Sequence, residues 1–404
     1  MSLADESSLL FIPTGYKEAK IYSVFPTTGV GDFTFNRNSS ATRIAKNGLI
    51  TSVAYDIPRL EYPLIDGVVN GCPSLLLEPS RTNLVTYSEA ISNSSIKSGT
   101  FVDNFAISPD GTQNATKITS IDTDPYFYQS ISVGSGDYTI SVYVKGIGST
   151  IGKEFLSVLG SGVNSPSQTI TGEWKRFTFS SALIAGTANR GFEIPNPSVA
   201  GDELLVWGWQ LEEGSYPTSY IPTNGTTVTR AAETANGAGD ASTFNDSEGV
   251  LMVEISFPAS ITSSNLRIAI SDTTANNRVL IQNISAAENR LQFYVIVGGV
   301  TSTDVNIDIN DITTLNKIVF KYKENDFSVW INGFEVLTDT SGITFPNGTL
   351  TELAFDGGDG GFDFYGNTKQ IQYFDSALND SDLEELTSWD SFGAMAIGQL
   401  YTIK

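Results

Sequence analysis

The sequence predicts an all-β protein in which two β-sandwich (jelly-roll) domains follow an irregular, β-rich N-terminal region. Apolar and polar residues alternate over residues 138–145 and again over 251–257, which is the period expected of a half-buried strand. Asn332-Gly333 separates two further runs of this kind, and both residues tolerate the positive φ of a two-residue hairpin turn. We find no sustained heptad and no short repeat, so neither a coiled-coil stalk nor a β-helical shaft is indicated.

The first sandwich is predicted over residues 88–230, after short strands and extended arms over residues 1–87. Prolines such as Pro13, Pro26 and Pro58 interrupt the N-terminal region, because each fixes φ and lacks a backbone donor. Within the sandwich, the alternation at 138–145 turns Tyr138 and every second residue after it inward. The Pro-Asp-Gly-Thr sequence at 109–112 predicts a turn between strands.

The strand from Val206 carries two tryptophans that need an interpretation. Strict alternation places Trp207 and Trp209 together on one face, with Val206 and Gly208 on the other. Such a pair could stack on a sugar, but neighbouring tryptophans usually fill the interior of a sandwich, and we favour packing. The strand is predicted to end at Gly214.

The second sandwich is predicted over residues 248–404, after a linker at 231–247 whose residues are small and polar. Near the C-terminus, the Ser-Asp-Leu-Glu sequence at 381–384 fits a capping box that opens a short helix through Leu386. A tail follows this helix.

Composition excludes several classes of function. The net charge of −22, from 23 basic and 45 acidic residues, opposes binding to nucleic acid. No run is long and apolar enough to predict a membrane span, and the N-terminus lacks the features of a secretory signal, so we expect synthesis in the cytoplasm. The chain has no histidine and a single cysteine, Cys72, which excludes histidine-based catalysis, zinc sites and an intrachain disulfide.

Residues 206–230 resemble the closing strand and exit arm of carbohydrate-binding-like β-sandwiches in structural proteins of tailed bacteriophages. The matching landmarks are Trp-Gln-Leu-Glu at 209–212, Thr-Ser-Tyr-Ile-Pro-Thr at 218–223 and Thr-Arg at 229–230. A second set resembles the N-terminal region of a phage head spike or fibre protein: Arg-x-Ser-x-Ala-Thr from Arg37, Pro-Arg at 58–59 and Leu-Glu-Pro-x-Arg-Thr-Asn-Leu at 77–84. Residues 248–404 resemble laminin-G-like or concanavalin-like jelly rolls.

These resemblances imply a virion protein made in the host cytoplasm, with residues 1–87 as the virion-attachment, or anchoring, region. The implied partners are capsid, portal or tail subunits, together with a host-surface glycan. The implied assembly is a homo-oligomer, by analogy a trimer, with neither nucleic acid nor membrane as a partner.

Three groups of residues are candidate sites, each with a structural alternative. If Phe127 points inward, Tyr126 and Tyr128 lie on the outer face, where they could contact a glycan. Acidic residues in a glycine-rich turn could bind calcium as a cofactor, or they could form a plain acidic loop. These residues are Asp356, Asp359 and Asp363. Basic residues of the N-terminal region could dock onto acidic subunits, or pair with nearby carboxylates such as Glu61 and Glu78: Arg37, Arg59 and Arg81.

The sequence therefore favours a non-enzymatic structural component of a phage particle, a head or tail fibre or spike subunit, whose sandwiches recognise host-surface glycan. One alternative is a polysaccharide depolymerase that uses a pair of carboxylates. Another is a purely structural collar or tail protein that binds no ligand.

Overall fold

The computed structural model of the chain describes residues 3–65, 67–121, 125–194, 199–258, 265–285 and 287–398. Strands account for 49 % of the residues and helices for 6 %, which confirms the all-β prediction. The α-helices of the described part are Leu3–Glu6, Asp380–Thr387 and Phe392–Gly398, and the 3-10 turns are Ile91–Asn93 and Gly148–Thr150. Of the helices described, none has the length and apolar character that crossing a bilayer requires.

The C-terminal sandwich consists of two antiparallel sheets that enclose one apolar core. The larger sheet runs in the order Phe334–Asp339, Phe327–Ile331, Asn316–Lys323, Glu248–Ser256, Gly366–Phe374, Ser74–Leu77, Arg59–Glu61, and Leu9–Phe11 also pairs with Gly366–Phe374. The facing sheet runs in the order Val300–Asp308, Arg290–Val297, Arg278–Asn283, Arg267–Ser271, Glu352–Ala354.

Strands from residues 1–87 complete this C-terminal sandwich. Leu9–Phe11 and Ser74–Leu77 both pair with Gly366–Phe374, along different halves of that strand. The side chains of Leu9, Phe11 and Leu75 are fully buried in the same core as the strands of residues 248–398. Strands of the N-terminal region thus belong to the same sheet as Glu248–Ser256, which comes much later in the chain.

The middle sandwich also consists of two antiparallel sheets around a separate core. Its first sheet runs in the order Ile96–Ser98, Tyr126–Val133, Gly186–Glu193, Glu154–Gly160, Val163–Asn164, with Gln168–Thr169 paired to Glu154–Gly160. Its second sheet runs in the order Thr100–Ala106, Ala115–Thr119, Glu203–Glu213, Gly136–Ile147, Lys175–Leu183. The predicted inward residues Tyr138, Ile140, Val142 and Val144 are all buried in this core.

The prediction that Trp207 and Trp209 share a face was wrong, because the strand contains a β-bulge at Gly208. Gly208 has φ +68°, and the register with Gly136–Ile147 shifts between Ser141 and Tyr143. The extra residue reverses the alternation. Trp209 packs in the core of the middle sandwich, whereas Trp207 lies on the opposite face, its ring 4.4 Å from that of Tyr220. Both indoles are nevertheless buried, as the packing interpretation requires.

Smaller strand groups complete the described part of the fold. One sheet has the order Tyr16–Lys17, Lys20–Ile21, Phe33–Asn36, Thr234–Asn236, and the two-stranded pairs are Ala41–Ile44 with Ile50–Val53, Leu64–Ile65 with Val68–Val69, and Arg81–Asn83 with Val228–Arg230. Residues 231–247, predicted as a linker, thus contribute a strand, and Ala235, Ala238 and Phe244 are buried in the C-terminal core.

The predicted Asn332-Gly333 turn agrees with the structure, whereas the predicted start of the C-terminal helix differs by a short distance. Asn332 and Gly333 both have positive φ between Phe327–Ile331 and Phe334–Asp339, which confirms the hairpin. The helix Asp380–Thr387 begins one residue before the predicted capping box, and its cap is Asn379, whose side chain accepts from the Asp382 N–H. An asparagine oxygen can fill this position as well as a serine can.

Packing of the N-terminal strands predicts that Leu75→Ala destabilises the C-terminal sandwich by about 2–5 kcal/mol, because a fully buried leucine leaves a cavity. Urea unfolding, with hydrogen exchange read over Glu248–Ser256, measures the effect. The matched control is Leu64→Ala, since Leu64 is 37 % exposed. Exchange over Glu248–Ser256 that is equally slow in Leu75→Ala and in the unmodified chain would contradict the shared core.

Candidate functional site

Two of the three arginines proposed for virion attachment lie inside the protein, in a group of five charged residues that we call the ion cluster. Its members come from distant parts of the chain: Arg37, Arg59, Glu78, Arg230 and Glu233. Arg37, Arg59 and Glu233 have no exposed surface, and Arg230 is 1 % exposed. Arg37 and Arg59 therefore present no surface to a neighbouring subunit in this structure.

Glu233 is the centre of the ion cluster. Its Oε1 accepts from Arg37 Nη1 at 2.7 Å and from Arg59 Nε at 2.9 Å. Its Oε2 accepts from Arg59 Nη2 and, at 2.9 Å, from the backbone N–H of Glu78. Removing charged groups from water is costly unless hydrogen-bond partners replace the lost hydration. In the ion cluster, each oxygen of the Glu233 carboxylate has two donors.

Glu78 forms the second half of the ion cluster. Its Oε2 lies 2.8 Å from Arg59 Nη1 and 2.8 Å from Arg230 Nη1. Ser219 donates to the same carboxylate from its backbone N–H at 2.8 Å and from its hydroxyl at 2.6 Å. Burial alone would raise the pKa of Glu78, but the two guanidinium groups and Ser219 lower it to about 2.

The landmarks of the phage resemblance meet around this cluster. The exit arm folds back on its own strand, where Glu212 Oε1 accepts from Thr218 N at 2.9 Å and Gln210 Oε1 accepts from Ile221 N at 2.7 Å. Asn83 Nδ2 donates to Trp209 O at 3.1 Å. The two sets of sequence landmarks thus describe one polar contact region, not two separate features.

Tyr126 and Tyr128 lie on the outer face of the first sheet of the middle sandwich, because Phe127 between them is buried in the core. Both tyrosines are half-buried, and their rings stack with centroids 5.0 Å apart and planes 20° apart. Tyr128 donates from its hydroxyl to Glu193 Oε2 at 2.6 Å. We call Tyr126, Tyr128 and Glu193 the tyrosine face.

A glycine allows the ring of Tyr128 to lie close to the neighbouring strand. Gly191 pairs with Tyr128, and a Cβ at position 191 would be 2.9 Å from Tyr128 Cδ1 and 2.0 Å from the Phe127 carbonyl oxygen. Any larger residue would displace the strand or the ring. The tyrosine face is therefore held by the sheet itself and by the bond to Glu193.

The three aspartates proposed as calcium ligands do not converge. Each carboxylate has its own hydrogen-bond donor. Asp356 accepts from Asn236 Nδ2 at 2.9 Å and from Gly358 N at 2.5 Å. Asp359 accepts from Gly361 N at 3.3 Å, and Asp363 accepts from the Tyr365 hydroxyl at 3.2 Å. Over the ranges that the structure describes, no set of three acidic or cysteine side chains is placed to hold a metal ion. Burial raises the pKa of Asp356 and of Asp363, which further disfavours their charged forms.

Arg81 differs from the other two arginines because it lines a cleft of about 740 Å³ between the sandwiches. Its guanidinium lies over the ring of Tyr216, 5.3 Å from the centroid, and Tyr365 of the C-terminal sandwich lies on the same cleft. Arg81 was found from sequence, whereas Tyr216 and Tyr365 were not. Their positions, after Gly214 and after the acidic loop, carry no local pattern that distinguishes them from other loop tyrosines.

Comparison with known proteins gives partial structural likenesses only. No protein-family model matches the chain. No curated protein matches it.

The chain is similar to the CBM40 of Ruminococcus gnavus IT-sialidase, with 13 % identity over 38 % of this chain and 93 % of that one, and a TM-score of 0.32. It is similar to domain 4 of AbnA, a GH43 extracellular arabinanase from Geobacillus stearothermophilus, with 14 % identity over 43 % of this chain and 82 % of that one, and a TM-score of 0.31. It is also similar to NanB sialidase from Streptococcus pneumoniae, with 15 % identity over 36 % of this chain and 24 % of that one, and a TM-score of 0.30.

The ion cluster predicts a large effect for Glu233→Gln. Replacement of the carboxylate leaves Arg37 and Arg59 buried without their shared counter-charge, which should cost about 3–5 kcal/mol of unfolding free energy. Urea unfolding followed by circular dichroism measures this loss. The matched control is Asp308→Asn, which removes the exposed pair with Arg290 and should leave the midpoint unchanged, because solvent screens that pair. Equal midpoints for the two variants would contradict the structural role of the cluster.

Glu61 predicts a pH dependence of stability. Burial raises the pKa of Glu61 from 4.5 to about 7, against the opposing bond from the Ile44 N–H at 2.7 Å. The folded state therefore keeps this proton to higher pH than the unfolded state, so the stabilisation is present below pH 4.5 and is lost as pH rises through 7. Glu61→Gln should reduce the decline in urea midpoint over this window. A variant whose midpoint declines as steeply as that of the unmodified chain would contradict the assignment.

Proposed function

We propose that this chain is a non-enzymatic structural component of a tailed-phage particle, a head or tail fibre or spike subunit that binds host-surface glycan. The observation that carries the proposal is the tyrosine face, where two stacked aromatic rings lie beside a carboxylate on the outside of a sheet. Tyrosine offers an apolar ring and a polar tip at low entropic cost, which suits contact with a sugar's apolar face and its hydroxyls.

Shallow contact of this kind is sufficient for a fibre or spike. Each copy would contribute a weak interaction, and many copies acting on a repeating surface polysaccharide would raise the total affinity by effective concentration. Assembly as a homo-oligomer, by analogy a trimer, would serve this purpose. The partners proposed for attachment are capsid, portal or tail subunits.

The virion assignment is supported by the two sets of sequence landmarks and by their meeting at one contact region. The ion cluster joins the N-terminal region to both sandwiches. If residues 1–87 bind the particle, the two sandwiches would therefore be held rigidly to it. Because Arg37 and Arg59 are internal, attachment would use other surfaces of residues 1–87.

The geometry supports a polysaccharide depolymerase less well than a glycan-binding protein. Glu61 and Glu78 both line a cavity of about 180 Å³, which is the kind of pairing that a glycosidase needs. Glu78, however, is committed to Arg59, Arg230 and Ser219, so its carboxylate is not available as a nucleophile or base.

Binding through the tyrosine face predicts that the double variant Tyr126→Ala with Tyr128→Ala loses about thirtyfold in affinity for immobilised bacterial surface polysaccharides, since each of the two rings should contribute about 1 kcal/mol. The matched control is Tyr55→Ala, which removes a tyrosine that is 59 % exposed and lies outside the face. Near-ultraviolet circular dichroism confirms that the variants fold.

Three results would contradict the proposal. Retention that is unaffected in the double variant would exclude the tyrosine face, and a falling viscosity of the polysaccharide would identify a depolymerase. Absence of the chain from purified particles of a phage that encodes it, by mass spectrometry, would exclude the virion role.

A further inference from the structure

The cleft between the two sandwiches is a concave surface whose described lining contains none of the three residues of the tyrosine face. It is reached by the far end of the same strand, since Ser132 and Val133 of Tyr126–Val133 line it. Its volume of about 740 Å³ lies within the range of sites that hold small ligands, which are commonly found where domains meet. The middle sandwich contributes Asp137, Glu213 and Tyr216, the segment before it contributes Arg81, and the C-terminal sandwich contributes Tyr365.

Arg81 brings hydrogen-bond donors to the cleft that its neighbours do not fully use. Its Nη1 donates to the Ser80 carbonyl at 3.2 Å, but its Nε is 3.8 Å from Glu212 Oε2 and is buried without a hydrogen-bond partner among the described residues. Glu212 does not draw closer, because its carboxylate already accepts from Gln210 and from Thr218. Because Nε has no exposed surface, the donors that Arg81 offers to a ligand in the cleft are those of its terminal nitrogens, in a side chain that is 19 % exposed. Such donors suit an oxygen-rich ligand.

Gly214 makes room for this guanidinium at the cleft wall. Its φ is +135°, and a Cβ at this position would lie 2.6 Å from Arg81 Nη2. The absence of a side chain at residue 214 thus leaves space for the guanidinium, whose Cζ is 5.3 Å from the centroid of the Tyr216 ring. The guanidinium and the ring lie beside each other at the cleft wall.

The charges of the cleft identify the class of ligand. Arg81 is the basic residue of the described lining, and Asp137 and Glu213 are its carboxylates, so the lining carries a net charge of −1. An anionic sugar would face two carboxylates, and the whole chain at −22 would add to the repulsion. Carboxylates that accept, a guanidinium that donates and two tyrosines that offer ring faces match the hydroxyls and apolar faces of an uncharged sugar.

We propose that this cleft binds a segment of a neutral oligosaccharide, with Arg81 as donor, Asp137 and Glu213 as acceptors and Tyr216 and Tyr365 as the aromatic walls. The inference rests on the proposed glycan-binding function and adds a second site to it. A chain that binds one polysaccharide at two places gains affinity by effective concentration.

The test is hydrogen exchange of the full chain with millimolar maltohexaose, mannohexaose, xylohexaose and chitohexaose, and with oligogalacturonate as the anionic comparator. The expected result is slower exchange over residues 79–84 and 213–216 with at least one neutral sugar. Glu213→Gln should weaken that sugar's affinity about tenfold through loss of a charged acceptor, and Arg81→Lys should do the same through loss of the planar donors. Glu173→Gln, which alters a side chain that is 89 % exposed and outside the cleft, is the matched control.

The outcomes separate this inference from the proposed function. Protection confined to residues 126–131, which are not part of the cleft lining, would overturn the cleft site and leave the tyrosine face standing. Protection of the cleft by oligogalacturonate alone would overturn the neutral class of ligand. Protection of the cleft that persists in both Glu213→Gln and Arg81→Lys would overturn the assigned residues. No change at either place with all five sugars would overturn the cleft site, while the retention assay decides the tyrosine face independently.

Discussion

The buried ion cluster is the interaction on which the rest of the molecule depends. Three guanidinium groups and two carboxylates are removed from water together, and each of the carboxylates is satisfied by donors from at least two distant segments. A buried charge that loses its partner is far more costly than an exposed one. Arrangements of the chain that bury some of these residues without their partners are therefore unfavourable.

The cluster also explains how the middle sandwich is attached. The chain enters this sandwich through Arg81–Asn83 and leaves it through Val228–Arg230, and these strands pair with Arg81 opposite Arg230. Glu78 precedes the entry and Glu233 follows the exit, so both ends of the sandwich are tied to the same charges. The strands that flank these two, Ser74–Leu77 and Thr234–Asn236, contribute Leu75, Leu77 and Ala235 to the C-terminal core, so both ends of the middle sandwich are held beside that core.

The tyrosine face and the cleft both combine tyrosine rings with carboxylates, but different parts of the fold hold them in place. The tyrosine face is built on one sheet, where the alternation of a strand sets Tyr126 and Tyr128 opposite the core. The cleft needs residues from three parts of the chain, and its shape depends on how the two sandwiches are joined. A change in the ion cluster should therefore disturb the cleft before it disturbs the tyrosine face.

Local rules in the sequence predicted the all-β class, the inward face of residues 138–145 and the Asn332-Gly333 hairpin. They also placed Tyr126 and Tyr128 together on the face opposite Phe127, but they did not decide which of the two faces is the outer one. Each of these follows from a period of two or from the φ preference of one or two residues. The same rules failed at Trp207, because a single bulge at Gly208 reverses the alternation and nothing in the neighbouring residues requires it.

Tertiary structure alone decided which partners the charged residues take and where the N-terminal strands pair. Arg37 and Glu233 are 196 positions apart, and no periodic pattern reports a contact over that distance. The landmarks around Arg37, Glu78 and Arg230 could be seen in the sequence, but their meeting at one buried cluster could not. The physical reason is that strand pairing and ion pairing between distant segments are fixed by the free energy of the whole fold, whereas turns and strand faces are fixed by adjacent residues.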